Sequence, residues 1–183
     1  IILSHWNSHF WLLKCCATAN FARVTLLLST FDSPIGTLNL IADEHVLLAA
    51  NLSSVKALKE SLSQEDSFRE ITSVKKIPVI TDLLTDYFAG DIAALSAIHV
   101  RQTGGHFSQE AWKAMKRIRP GKVISYAELA IRAGSSAAIR AAGSACAKNA
   151  IVLVVPCHRI VKTGGALGNY AYGLDKKEWL LRH

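Results

Sequence analysis

Short apolar runs separated by turn residues fill positions 24–52 of the chain. The runs read VTLLL, TLNLIA and VLLAANL, and the breaks between them are SPIG at 33–36 and DEH at 43–45. Apolar runs of this length, bounded by Pro, Gly and Asp, are typical of strands joined by tight turns. The pattern therefore predicts strand, turn, strand, strand, which together form a small antiparallel sheet.

The next segments carry apolar residues at the three- and four-residue spacing of amphipathic helices. This spacing predicts helices within 53–70 and at 79–89 that cover the sheet, and a further strand at 97–102. The glycine pair at 104–105 after that strand is the best candidate linker. We therefore expect a leader of unknown role at 1–23, an N-terminal sheet-and-helix domain at 24–103 and a C-terminal domain at 104–183.

Beyond the glycine pair the pattern changes to short helices. Apolar positions predict a helix at 107–118, and Ser125 followed by Glu128 fits a capping box at the start of a second helix. A third helix at 137–148 consists almost wholly of small residues apart from Arg140. Two short helices joined by a Gly-containing turn favour a helix-turn-helix, although a tightly packed core helix would also be rich in small residues.

The segment IVLVVPCHRIV at 151–161 combines an apolar run with reactive side chains. Its first five residues predict a buried strand or another buried core segment, and Pro156 ends that run just before Cys157. Because a thiol reacts as the thiolate, and a neighbouring His or cation lowers its pKa, Cys157 beside His158 is a candidate nucleophile. The alternative is a buried, inert cysteine, and we predict that state for Cys146.

These elements predict an α/β (α+β) fold. Its N-terminal part is a small antiparallel sheet with covering helices. Its C-terminal part is a mostly helical domain with a helix-turn-helix and an active-site cysteine loop.

Composition narrows the class of protein. The chain is 50% apolar and 19% charged, and it has no apolar run near the roughly 20 residues of a membrane helix, so we expect a globular protein without a membrane segment. A net charge of +7 favours a polyanionic partner such as nucleic acid, or a merely basic surface. Adjacent cysteines converge poorly on one metal ion, so we expect no zinc site at His5, His9, Cys15 and Cys16. No metal or cofactor is expected.

Several segments resemble the O6-alkylguanine-DNA alkyltransferases, also called methylated-DNA–protein-cysteine methyltransferases. The clearest are GKVISYAELA, RAAGSACAKN, PCHRIV and GALGNYAYGLDKKEWLLRH, and a weaker similarity reaches back to Thr30. The resemblance implies a single-turnover DNA-repair reaction. In this family a cysteine thiolate takes a methyl or small alkyl group from O6 of guanine, with O4 of thymine as a further substrate, and the cysteine is never regenerated.

The resemblance also implies roles for individual residues. Cys157 would be the acceptor, His158 the base acting through a water, and Asn149 the residue that holds the turn presenting the thiol. Tyr126 would serve the flipped base, and Arg140 would enter the stack that the guanine leaves. Other implied contacts to the base come from the carbonyls of Cys157 and Ile160, the amide of Ala171, and the neighbouring Tyr170 and Tyr172. The implied DNA-binding set also includes Ser135, Ala141 and Gly143.

Some positions depart from the family pattern. Many relatives carry Gly where this chain has Tyr172, and those relatives tolerate bulky groups such as benzyl. Ile139 is bulkier than the usual Ala, and GGHFSQEAW replaces the commoner GTPFQ pattern. In the family a Glu after the LLxH segment orients the base His, and the sequence in hand ends at His183.

The implied partner is double-stranded DNA, bound by a monomer through the minor groove without sequence preference. Such a protein would work in the cytoplasm, associated with the nucleoid, in a bacterium, or in the nucleus of a eukaryote. Two other functions stay open. One is a non-catalytic binder of alkylated DNA, against which Cys157 argues. The other is a Cys-His hydrolase, although Cys and His that are adjacent in sequence seldom point at one another.

Overall fold

The computed structural model of the chain describes residues 25–183, which form seven strands and seven α-helices. The leader predicted at 1–23 lies wholly outside the described residues, which begin at residue 25. The conceivable zinc ligands His5, His9, Cys15 and Cys16 also lie outside them. Between residues 25 and 183 no helix is long and apolar enough to cross a membrane.

Three antiparallel strands form the centre of a five-stranded sheet, as the apolar runs and the turns between them predict. They are β1 (Leu26–Ser33), β2 (Gly36–Asp43) and β3 (Val46–Asn51). Two short strands complete the sheet at its edges in the order β4-β1-β2-β3-β5, namely β4 (Ile71–Ser73) and β5 (His99–Val100). The antiparallel arrangement predicted for 24–52 is confirmed, and the two edge strands run parallel to their neighbours, so the complete sheet is mixed.

The single helix expected within 53–70 is two short helices, α1 (Val55–Glu60) and α2 (Gln64–Ser67). The break occurs because Ser63 starts a new helix, with its Oγ accepting from the backbone N–H of Asp66 at 3.0 Å. The next helix, α3 (Ile80–Phe88), matches the prediction for 79–89.

The C-terminal part is mostly helical, as predicted. Ser125 caps the second of its helices, with its Oγ accepting from the backbone N–H of Glu128 at 3.1 Å. Gly134, with a φ of +97°, makes the turn between the second and third helices, which pack on each other in the predicted order. The elements are α4 (His106–Lys116), α5 (Tyr126–Arg132), α6 (Ile139–Ala147), α7 (Leu174–Arg182), and the parallel pair β6 (Ile124–Ser125) and β7 (Ile160–Val161).

Buried apolar residues from both sides of the glycine pair share one hydrophobic core. A Cβ on Gly104 would lie 2.5 Å from the ring of Trp112, so only Gly allows the chain to pass over this buried ring. On β3, the backbone N–H of Ala50 donates to Ala150 at 2.8 Å, and Ala50 accepts from Val152 at 3.1 Å. The sheet is therefore joined by backbone hydrogen bonds to the segment that leads into Cys157.

Candidate active site

The apolar segment before Cys157 is buried throughout, as predicted, and it is a core segment rather than a strand. Ile151 alone forms a bridge, with Ala50, and the chain then turns with a φ of +74° at Leu153. The backbone N–H of Val155 donates back to Ile151 at 3.0 Å. Of the two predicted forms the strand is absent at 151–155, because this turn satisfies backbone groups that a strand would present to a neighbour.

Cys157 lies at the start of a 3₁₀ turn, Cys157–Arg159, directly after Pro156. Asn149 holds this turn from the other side, since its Nδ2 donates to the carbonyl of Val155 at 2.8 Å and to Cys157 Sγ at 3.3 Å. The arrangement gives the thiol a hydrogen-bond donor at a fixed position.

Burial raises the pKa of the Cys157 thiol above its ordinary value. The hydrogen bond from Asn149, the charge of Lys177 and the nearby backbone N–H groups oppose that effect and lower the pKa. The side chains of His158 and Arg159, which the sequence offered as the source of this lowering, are not among these groups. The side-chain contributions come from Asn149 and Lys177, and the residues next to the sulfur contribute through the backbone N–H groups of Cys157 and His158.

His158 is almost completely buried, at 1% exposure. Neither of its ring nitrogens has a hydrogen-bond partner among the residues that the structure describes. Burial, followed by the charges of Arg159 and Lys177, lowers the pKa of His158 to about 3. The imidazole is therefore neutral at physiological pH, which is the form that can accept a proton.

Lys177 is a functional candidate that the sequence analysis missed. It is fully buried on α7, where its Nζ donates to the carbonyl of Ile160 at 2.6 Å and to the carbonyl of Leu167. Its charge interacts favourably with the thiolate forms of Cys146 and Cys157. One signal was available, because Lys177 precedes the buried Leu180 by three residues and so shares its helix face.

A cavity of about 680 Å³ opens over the Cys157 thiol. Most of the predicted site residues line it, whereas Ser135, Ala141, His158 and Ile160 do not. Cys146 lines it as well, and burial followed by the charge of Cys157 raises the pKa of the Cys146 thiol to about 12. The predicted residues in the cavity wall are Tyr126, Arg140, Gly143, Asn149, Cys157, Tyr170, Ala171 and Tyr172.

Aromatic rings form one wall of this cavity. Tyr170 and Tyr172 meet edge to face, with ring centroids 5.6 Å apart and an interplanar angle of 70°. Tyr126 packs against Gly168, where a Cβ would lie 3.2 Å from the Tyr126 ring. A cavity lined by aromatic rings beside a thiol suits a planar aromatic ligand.

Arg140 extends from the first turn of α6 at the cavity rim. It is exposed and forms no ion pair with residues 25–183. Ile139 beside it is 47% exposed, and Gly143 follows on the same helix. This face of α6 therefore combines a free cation with a thin, partly apolar surface.

The low pKa of His158 predicts acid destabilisation well above the pH at which most carboxylates titrate. The unfolded chain binds a proton at His158 near pH 6.5 while the folded protein does not, so this contribution is complete above pH 6.5 and is lost as the pH falls toward 3. The free energy of unfolding should fall by about 1 kcal/mol per pH unit in this range. Urea titrations between pH 7 and 5 would measure the slope.

His158→Leu should flatten that slope, and His99→Leu on the exposed edge of the sheet should leave it unchanged. A wild-type stability that is constant from pH 7 to 5 would contradict a buried neutral His158.

Comparisons with known proteins point to one family. Residues 106–183 match the family described as 6-O-methylguanine DNA methyltransferase, DNA binding domain. The methylated-DNA–protein-cysteine methyltransferase of Salmonella typhimurium is 34% identical over 86% of this chain and 95% of its own length. That of Homo sapiens is 35% identical over 85% of this chain and 78% of its own length.

Solved structures agree as well. Mycobacterium tuberculosis OGT in complex with DNA superposes with a TM-score of 0.70 and 32% identity, covering 85% of this chain and 91% of that one. The fold and these comparisons therefore define the class of protein as an O6-methylguanine-DNA methyltransferase. The chain belongs to the methylated-DNA–protein-cysteine methyltransferase family.

Proposed function

We propose that the chain repairs O6-alkylguanine in DNA by moving the methyl or small alkyl group to Cys157. The observation that carries the proposal is the position of the Cys157 thiol, which lies in a base-sized cavity with the Asn149 donor 3.3 Å from its sulfur. The thiolate forms a bond to the alkyl carbon, the bond from that carbon to O6 breaks, and guanine leaves after taking up a proton. The thioether is stable, so each chain reacts once.

Proton removal from the thiol is assigned to His158 acting through a water. The imidazole is neutral at physiological pH and so is in the proton-accepting form, but its low pKa makes it a weak base, so the transfer depends on stabilisation of the thiolate by other groups. The thiolate that forms is stabilised by the Asn149 donor and by the charge of Lys177. Because burial alone disfavours the thiolate, these two groups decide how much of it exists at neutral pH.

The base must leave the duplex before the thiolate can reach O6. Tyr126 and Arg140 both line the cavity over Cys157, which supports a role for both in holding a flipped nucleotide. We assign Tyr126 to the extruded base and its phosphate, and Arg140 to the space that the base leaves in the stack. Ser135, Ala141 and Gly143 would contact the DNA backbone around that space.

Carbonyls and one amide would orient the guanine in the slot. The carbonyls of Cys157 and Ile160 would accept from its amino group, and the amide of Ala171 would donate to O6. Ile160 already accepts from Lys177 at 2.6 Å, and its second lone pair stays available because a carbonyl oxygen has two. Tyr170 and Tyr172 would pack beside the base.

DNA is the partner, and we further infer that a monomer binds it through the minor groove. The narrow face of α6 supports this geometry, since small residues allow close approach to the groove floor. Sedimentation of the complex with a short duplex would test whether a monomer binds, and competition by a minor-groove ligand would test which groove is used.

We also propose that the chain divides into an N-terminal domain at 24–103 and a C-terminal domain at 104–183. The protein would act in the cytoplasm, associated with the nucleoid, or in the nucleus, according to the host.

Arg140→Ala should slow repair of duplex DNA far more than reaction with the free O6-methylguanine base. Only the duplex reaction needs the extruded state to be stabilised, and extrusion costs a few kcal/mol, so the duplex rate should fall by about 10- to 100-fold. Single-turnover rates on both substrates would measure the difference.

The matched control is Arg182→Ala, which removes an exposed arginine that pairs with Glu178 on α7. Both of its rates should equal those of the wild type. Equal losses on the two substrates in Arg140→Ala would show that Arg140 has only a structural role.

A further inference from the structure

Gln102 joins the edge of the sheet to the turn that presents Cys157. Its Oε1 accepts from the backbone N–H of Ala150 at 2.9 Å, and its Nε2 donates to Asn149 Oδ1 at 3.2 Å. Its own carbonyl accepts from Gln109 Nε2 on α4 at 2.7 Å, which fixes its backbone. The oxygen and the nitrogen of the Gln102 side-chain amide therefore bond to two consecutive residues, Ala150 and Asn149, of the segment that presents Cys157.

The side-chain amide of Asn149 makes four hydrogen bonds, two accepted by its oxygen and two donated by its nitrogen. Its Oδ1 accepts from the backbone N–H of Ile151 at 3.1 Å and from Gln102, while its Nδ2 donates to Val155 and to Cys157 Sγ. Turning a side-chain amide by 180° exchanges its oxygen with its nitrogen. A turned Asn149 would place an oxygen against the sulfur, where it would repel a thiolate.

We propose that Gln102 is a positioning residue for alkyl transfer, because its donation to Asn149 Oδ1 keeps Asn149 Nδ2 directed at Cys157 Sγ. Gln102 does not line the cavity, so it acts on the sulfur only through Asn149. The inference rests on the proposed function in one respect, which is that Cys157 is the alkyl acceptor.

Other titratable groups interact with the Cys157 sulfur, but among the described residues the Gln102 side chain bonds only to Asn149 and Ala150. We therefore expect a change in the titration of the thiol in Gln102 variants to report on Asn149. The other groups are Tyr126 on α5, Cys146 on α6, Lys177 on α7, and Tyr170 and Tyr172 from the preceding loop.

The test is the pH dependence of Cys157 alkylation by iodoacetamide, followed at that residue by peptide mass spectrometry in Gln102→Glu and Gln102→Leu. Glu can still accept from the Ala150 N–H but cannot donate to Asn149 when ionised, whereas Leu does neither. Both variants should react about 3- to 10-fold more slowly at neutral pH, the effect of one hydrogen bond. Their rates should rejoin the wild-type rate at high pH, where the thiol is fully ionised.

Two controls separate positioning from a general structural effect. Gln64→Glu makes the same exchange at an exposed position on α2 and should leave the titration unchanged. In an Asn149→Ala background, Gln102→Leu should cause no further loss, because the group through which it acts is gone.

Three results would overturn the inference: wild-type titration in both Gln102 variants, wild-type behaviour in Gln102→Glu alone, or equal slowing at every pH. Failure of the proposed function is seen separately. In that case wild-type protein incubated with O6-methylguanine DNA would gain no methyl group on Cys157, whatever the iodoacetamide rates show.

Discussion

Replacing Cys157 by Ser is expected to abolish methyl transfer while binding to DNA survives. A hydroxyl is a far poorer nucleophile than a thiol at neutral pH, but it occupies a similar volume in the 3₁₀ turn after Pro156. The measurement is the intact mass after incubation with duplex DNA containing O6-methylguanine. Wild-type protein should gain one methyl group per chain at any excess of substrate, and Cys157→Ser should gain none.

Cys146→Ser is the matched control, because it alters the other thiol in the same cavity wall. With a pKa of about 12, the Cys146 thiol is protonated at neutral pH, so this variant should still gain one methyl group. Methylation of Cys157→Ser would refute the assignment of the acceptor. Tight binding without any wild-type methylation would indicate a non-catalytic binder of alkylated DNA, and continued turnover without a mass change would indicate a hydrolase.

Much of the fold was predictable from short-range patterns. The central strands are apolar runs bounded by turn residues, and Ser125 with Glu128 marks the start of α5. The edge strand β4 was missed because Ile71–Ser73 carries no apolar run and becomes a strand only by pairing with β1. The turn at Leu153 was missed because a run of Leu and β-branched residues is equally compatible with a strand.

The residues of the candidate site also fall into two groups, those that the local sequence identifies and those that it does not. The PCHRIV segment identified Cys157 because its chemistry and its family resemblance both lie in consecutive residues. Lys177 and Gln102 approach that segment from distant parts of the chain, and Gln102 is 47 positions from its partner Asn149. No local pattern marks a residue whose role depends on such a contact. From the sequence alone, only the neighbours of Cys157 are visible as groups that could stabilise its thiolate.

Tyr172 lies in the cavity wall rather than on an open surface, so its ring limits the space beside the thiol. It is half-buried, packs edge-on against Tyr170, and its hydroxyl faces the backbone N–H of Leu52. The contact with Tyr170 and its partial burial restrict the ring. A large alkyl group on O6 would therefore have to displace a fixed side chain instead of filling empty space.

We expect fast repair of O6-methylguanine, poor reaction with O6-benzylguanine, and recovery of benzyl transfer in Tyr172→Gly with methyl repair largely retained. Forcing extra volume into a packed site costs about 1–3 kcal/mol, so removing the ring should speed benzyl transfer by about 10- to 100-fold. Labelling with a fluorescent benzylguanine probe gives the rates. Tyr172→Phe, which keeps the ring and loses only the hydroxyl, should stay slow; efficient benzyl labelling of the unmutated protein would disprove the steric role of Tyr172.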